Sequence, residues 1–132
     1  MKCDTRVTFR IEGKFITREL LLELTGLEAS GFKEFQEPDG SPTFLWYLDS
    51  TLDGSANYIQ HADHLVALLQ PHADALGALV ERGATAEMLN SILTSGDDIS
   101  LNLGLTKEHL GVFGRIGLQL VLDVICLPGF QG

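Results

Sequence analysis

Between Arg6 and Gly13 the chain reads RVTFRIEG, with Val7, Phe9 and Ile11 on alternate positions and Thr8, Arg10 and Glu12 between them. A period of two turns one set toward a core and the other toward water, so the segment is a half-buried strand. The period then changes. Leu20, Leu21, Leu24 and Leu27 recur at helical spacing. Thr17 is placed to cap that helix, Ile16 and Leu21 to form a hydrophobic staple across its start, and Gly26 to end it. A strand with one apolar face, followed at once by a helix with one apolar stripe, needs a second layer to bury both.

The rest of the chain alternates in the same way. The turn signal EPDGSP at 37–42 separates GFKEFQ from TFLWYLDS, which together read as a hairpin. A long helix is expected from about Ser55 to Arg82, interrupted at Pro71 and stopped by Gly83. MLNSIL and DDISLNLGL flank SGD as a second hairpin, with Ile99, Leu101, Leu103 and Leu105 alternating. Thr106 caps a third helix, with Leu105 and Leu110 placed as its staple. The closing LQLVLDVICL is almost continuously apolar, the pattern of a strand covered on both faces.

The expected order is β-α-β-β-α-β-β-α-β, a single α+β domain over residues 1–132. It combines an antiparallel-rich sheet of about six strands with three helices on one face. The last six elements have the split-βαβ order of a ferredoxin-like unit.

Hydrophobic residues make up 45% of the 132 and charged residues 20%, an ordinary globular composition. No apolar run approaches the length of a bilayer span, and MKCDTRVTFR has no apolar signal region, so a cytoplasmic protein without a membrane is expected. Cys3 and Cys126 stand at opposite ends of the chain and are expected to be reduced. The formal net charge of −9 opposes the phosphate backbone and argues against nucleic acid. It would attract a basic protein partner, although a negative surface is also sufficiently explained by solubility.

The residues that resemble chemistry cluster in QHADHLVALLQPHAD at 60–74, where His-Ala-Asp occurs at 61–63 and at 72–74. At 100° per residue, His61 and His72 fall within about 20° of each other, while Asp63 and Asp74 lie on nearly the opposite side. Each tripeptide therefore points its histidine and aspartate apart, and ~16 Å of helix separates the two copies. They share no metal. His61 and His64, at i and i+3, are the one local pair able to offer a metal two nitrogens, but Leu65 and Leu68 stand where a further ligand would be needed. The favoured reading is histidines at the core boundary, with His61 and His72 flanking the arc of Leu65, Leu68, Leu69, Leu76, Leu79 and Val80 and His64 further toward water. His109 is isolated in the third helix.

Gly111, Gly114 and Gly117 do not form a dinucleotide fingerprint; a smooth helix side lying close to the sheet is expected instead. Asp97 and Asp98 suit a turn, and Asp49 and Asp53 offer too few ligands for a calcium loop. Trp46, central in an apolar strand, belongs to the core. No catalytic, cofactor-binding or metal residue is assigned beyond the weak metal candidates His61 and His64.

In order and spacing, the chain resembles the bacterial family catalogued as domain of unknown function 4279. The stretches that carry this are VTFRIEG, ITRELLLELTGLE, FLWYLDS, HLVALLQPHADALGALVERG, ISLNLGL and GLQLVLDVI. The resemblance implies a compact cytoplasmic α+β domain and no reaction. This chain has Ala29-Ser30 after TGLE, where that family often has a proline. The expected function is a non-catalytic protein-interaction domain, in one form an immunity-type protein neutralising a basic toxin. The alternative is ligand binding or catalysis in a cleft beside the sheet using His61, His64 or Asp49. A homodimer through an exposed strand edge is compatible with both.

Overall fold

A computed structural model describes residues 3–94 and 104–127. Strand β1 (Cys3–Gly13) is followed by helix α1 (Arg18–Thr25) and a hairpin of β2 (Gly31–Gln36) and β3 (Pro42–Asp49). Helices α2 (Tyr58–Leu69) and α3 (Ala73–Glu81) are joined by a 3-10 turn at Gln70–His72; then come β4 (Thr85–Thr94), α4 (Lys107–Ile116) and β5 (Gln119–Cys126). The fold is α+β. Its sheet has the order β2-β3-β1-β4-β5, antiparallel at every junction except the parallel pair β4–β5.

Strand parity builds the core. In register, Phe9 stands opposite Leu48 and Met88, and Ile11 opposite Trp46 and Ala86. These side chains are buried and share one face with Val7. Helices cover that face through Leu21, Leu65, Leu69, Leu76, Val112 and Ile116, with Ile16 just ahead of α1. Trp46 meets Phe9 edge-on at 6.3 Å between ring centroids, so its core placement is as expected.

The local signals at the first helix hold. The Thr17 hydroxyl accepts the Leu20 N–H at 3.0 Å, Ile16 and Leu21 are both fully buried, and Gly26 ends the helix at φ 69°. Pro71 lies at the centre of the 3-10 turn, so the expected long helix is two segments. It begins at Tyr58 rather than Ser55, because the Asn57 side chain accepts the Gln60 N–H and fixes the cap there.

Several expectations are corrected. The sheet has five described strands; the sixth, the 99–103 part of the second hairpin, lies outside the described residues, as do Asp97 and Asp98. β5 is not the doubly covered strand expected: it is the outermost of the described strands and is largely exposed. Its apolar run records strand propensity, whereas coverage depends on where the strand enters the sheet. The second staple does not form, since Leu110 is 55% exposed. Thr106 instead forms a capping box with His109, whose Nδ1 accepts the Thr106 N–H at 3.1 Å.

The glycine triplet also departs from expectation. A Cβ at Gly111 or Gly114 would meet nothing within 4 Å, and Gly117 is the left-handed end of α4 at φ 78°. The close approach is at Gly77, where a Cβ would collide with the Arg115 carbonyl, so α3 and α4 cross backbone to side-chain-free backbone. Finally, Thr94 lies opposite both Cys3 and Cys126. Two spacings of ~4.8 Å therefore separate those backbones, beyond the ~7 Å limit for a disulfide.

Candidate functional site

The β3–α2 connection returns across the start of β1. The Ser50 N–H donates to the Val7 carbonyl and the Thr5 N–H to the Gly54 carbonyl, each at 2.9 Å. A Cβ at Gly54 would meet the Asp4 carboxylate, so the loop lies directly against that side chain. Between this loop, β1 and β4 opens a cleft of about 530 Å³. Asp4, Arg6, Thr8, Asp49, Ser50 and His61 supply most of its polar wall.

Most of these groups already hold one another. Arg6 Nε donates to Asp4 at 3.1 Å, and the Thr8 hydroxyl donates to Asp49 at 2.6 Å. The Asp49 N–H in turn donates to the Ser30 hydroxyl at 2.8 Å. Ser50 Oγ and His61 Nδ1 are 2.7 Å apart. His61 is 1% exposed, and its Nε2 has no partner among the described residues. Burial pushes the His61 pKa below its ordinary value, partly opposed by the Asp53 and Ala56 backbones, so the ring is neutral at pH 7.

His61 is therefore a core residue rather than the boundary residue expected from the helical wheel, because the 50–56 loop folds over it. His64, half-buried, lies 3.0 Å from the Thr51 hydroxyl through Nε2. The i, i+3 pair thus fastens two consecutive loop hydroxyls. No group of three or more His, Cys, Asp or Glu side chains is arranged to hold a metal among the described residues. Of the three residues proposed for a cleft, His61 and Asp49 line it and His64 does not.

The chemistry is likewise limited. A Ser-His nucleophile needs a third group to orient the ring and stabilise its charged form. No carboxylate is hydrogen-bonded to His61 among the described residues. What remains is a polar concavity with two carboxylates, one arginine and several hydroxyls. Strand parity already set Thr8 and Arg10 opposite the core residues, but the contribution of Ser50 could not be read, because it depends on the loop's return path.

The repeated His-Ala-Asp has a different role. Asp63 accepts from His109 Nε2 at 2.6 Å, and Asp74 accepts from Arg115 Nε at 3.1 Å. The two aspartates, eleven residues apart, share a helical face and both grip α4. Since His109 Nδ1 accepts the Thr106 N–H, its proton is on Nε2 and points at Asp63. His109 is buried, not isolated.

No helix of the described residues is long and apolar enough to cross a membrane. Comparison with family models, curated proteins and solved structures finds no match to this chain.

Proposed function

We propose that this chain is a non-catalytic interaction domain that receives a basic protein partner at the rim of the β1 cleft. The observation that carries the reading is the state of the cleft's polar groups. The Ser50 hydroxyl and His61 Nδ1 hold the loop and the Thr8 hydroxyl donates to Asp49, while the Asp4 and Asp49 carboxylates at the edge keep acceptor capacity to spare. The net charge of −9 supports it by steering a cationic surface inward. An immunity-type protein bound to a basic toxin fits this chemistry. The reading includes membership of the family of unknown function 4279, a cytoplasmic setting with reduced cysteines, and a ferredoxin-like unit. The unit expected over the last six elements includes the 99–103 strand outside the described residues; we place it instead over Cys3–Thr94, with α2 and α3 together as the second helix, because β2-β3-β1-β4 with antiparallel neighbours is the order of two interleaved strand-helix-strand crossovers.

A labelled nona-lysine peptide tests it by fluorescence anisotropy. Asp4→Asn and Asp49→Asn are expected to weaken binding several-fold more than Glu34→Gln, which removes the same charge from the distant β2 edge. Equal effects of all three would mean that net charge alone attracts the peptide, and the reading would fail.

The 2.7 Å Ser50–His61 contact favours one second reading, a hydrolytic site. Covalent labelling of Ser50 by a fluorophosphonate, abolished in His61→Gln, would establish it; an unlabelled Ser50 in folded protein sets it aside.

A further inference from the structure

At the end of β1 away from the cleft, three connections meet: the β1–α1 turn, the tip of the β2–β3 hairpin and the turn from α3 into β4. They surround a hollow of about 420 Å³. That size suits a small molecule, whose sites run to ~300–1,000 Å³. Glu12, Lys14, Glu37 and Arg82 bring two charges of each sign to its wall, and Phe15 and Thr43 line it with them.

These charges are not used up by one another. Arg6, Arg10 and Arg115 each meet a carboxylate at 2.9–3.1 Å elsewhere on the chain. By contrast, none of the four around the hollow makes an ion pair or a side-chain hydrogen bond with another described residue, although Glu12 and Glu37 are half-buried. The Arg82 guanidinium lies 4.3 Å from the centroid of the Phe15 ring. Stacking there fixes its plane and leaves its edge donors for a planar carboxylate. Just outside, Asp39 is held below its ordinary pKa by hydrogen bonds from Ser41 and, less strongly, by the charge of Lys14, so Arg82 is the freer of the two cations. Thr43 is only 5% exposed, and its hydroxyl makes no hydrogen bond with a described residue. A buried hydroxyl ordinarily has a partner, and a polar ligand would supply one.

We infer that this hollow binds a small zwitterion that carries a carboxylate and an ammonium group, as a free amino acid does. Arg82, with Lys14, receives the carboxylate, and Glu12 and Glu37 receive the ammonium. The Thr43 hydroxyl can donate to one pole or accept from the other. A ligand of one sign fits poorly, because an anion meets two carboxylates and a cation meets two basic groups.

NMR titration of the ¹⁵N-labelled chain tests this with glycine, γ-aminobutyrate and ε-aminocaproate, which hold the two charges at increasing separation. Butanoate and butylammonium serve as ligands of one charge. At least one of the three amino acids is expected to give saturable shift changes at residues 12–15, 37–43 and 82–85. Each one-charge ligand is expected to bind roughly tenfold more weakly or worse, as for the loss of one charged hydrogen bond. Arg82→Gln and Glu37→Gln are each expected to weaken the best amino acid by about the same factor. Arg18→Gln, which removes a cation stacked on Phe32 outside the hollow, leaves it unchanged. Butanoate or butylammonium binding as tightly as the amino acids overturns the zwitterion. Wild-type affinity in folded Arg82→Gln or Glu37→Gln overturns the assigned poles. No saturable change at the hollow with any of the three overturns the site.

Discussion

Gly77 and Gly114 look alike in the sequence, each an isolated glycine within a helical stretch. Gly77 lies against the Arg115 carbonyl, and Gly114 faces open space. Alanine at 114 gains helix propensity at no packing cost, so Gly114→Ala is expected to stabilise by roughly 0.5–1 kcal/mol. Alanine at 77 forces α3 and α4 apart, and overpacking of about 1–3 kcal/mol exceeds the same propensity gain. Urea denaturation of both variants measures the contrast; a stabilised Gly77→Ala would refute the close crossing. His61 gives a second prediction at this scale. Its folded-state pKa lies below the ordinary 6.5, so the unfolded chain takes up its proton more readily. Its contribution is therefore complete above pH 6.5 and is lost as pH falls toward the folded value. Asp53 and Asp74, held below 3.8 by hydrogen bonds to Ser55 and Arg115, act only at more acidic pH. Stability measured between pH 7 and 5 is expected to decline in wild type and to flatten in His61→Gln. A rise on acidification would contradict the buried neutral ring.

Helix α4 shows what sequence periodicity conveys about an element and what it omits. Thr106 was readable as its cap from residue type, whereas Gly117, expected on a smooth helix side, ends the helix in the left-handed conformation. The residue that completes the cap, His109, was not readable, because the usual partner three positions on is glutamate or glutamine. Nor did any local pattern join His109 to Asp63, 46 residues away. Helical geometry did set the aspartates of the two His-Ala-Asp copies on a common face, but their occupant belongs to another part of the chain. The His109–Asp63 bond has one buried end and one exposed end, with side-chain exposures of 3% and 64%. A double-mutant cycle of His109→Ala and Asp63→Ala is expected to give a coupling of about 1 kcal/mol. The Asp74–Arg115 cycle, between two exposed groups, is expected to give a smaller coupling that salt removes. Equal couplings would mean that burial of His109 contributes nothing to the grip on α4.

At the scale of the molecule, fold class was legible because RVTFRIEG and the helical leucines each bury their apolar set in one way only and the EPDGSP turn reverses the chain between two strands. The ends of the sheet were not. LQLVLDVICL has the composition of a central strand, yet β5 enters beside β4 at the margin, and period and propensity carry no information on that order. The cleft was half legible: Asp49 and His61 were named from the sequence, but the loop that brings Ser50 over His61 is specified by backbone bonds to Val7 and Thr5. The central claim is that the cleft's polar residues serve recognition and loop anchoring rather than reaction. The most direct measurement is an NMR titration of the ¹⁵N-labelled chain with nona-lysine at physiological salt. The account predicts shift changes confined to residues 4–8, 49–54 and 89–91, and lost in Asp49→Asn. Changes spread evenly over the acidic surface, or centred away from the cleft, would contradict it.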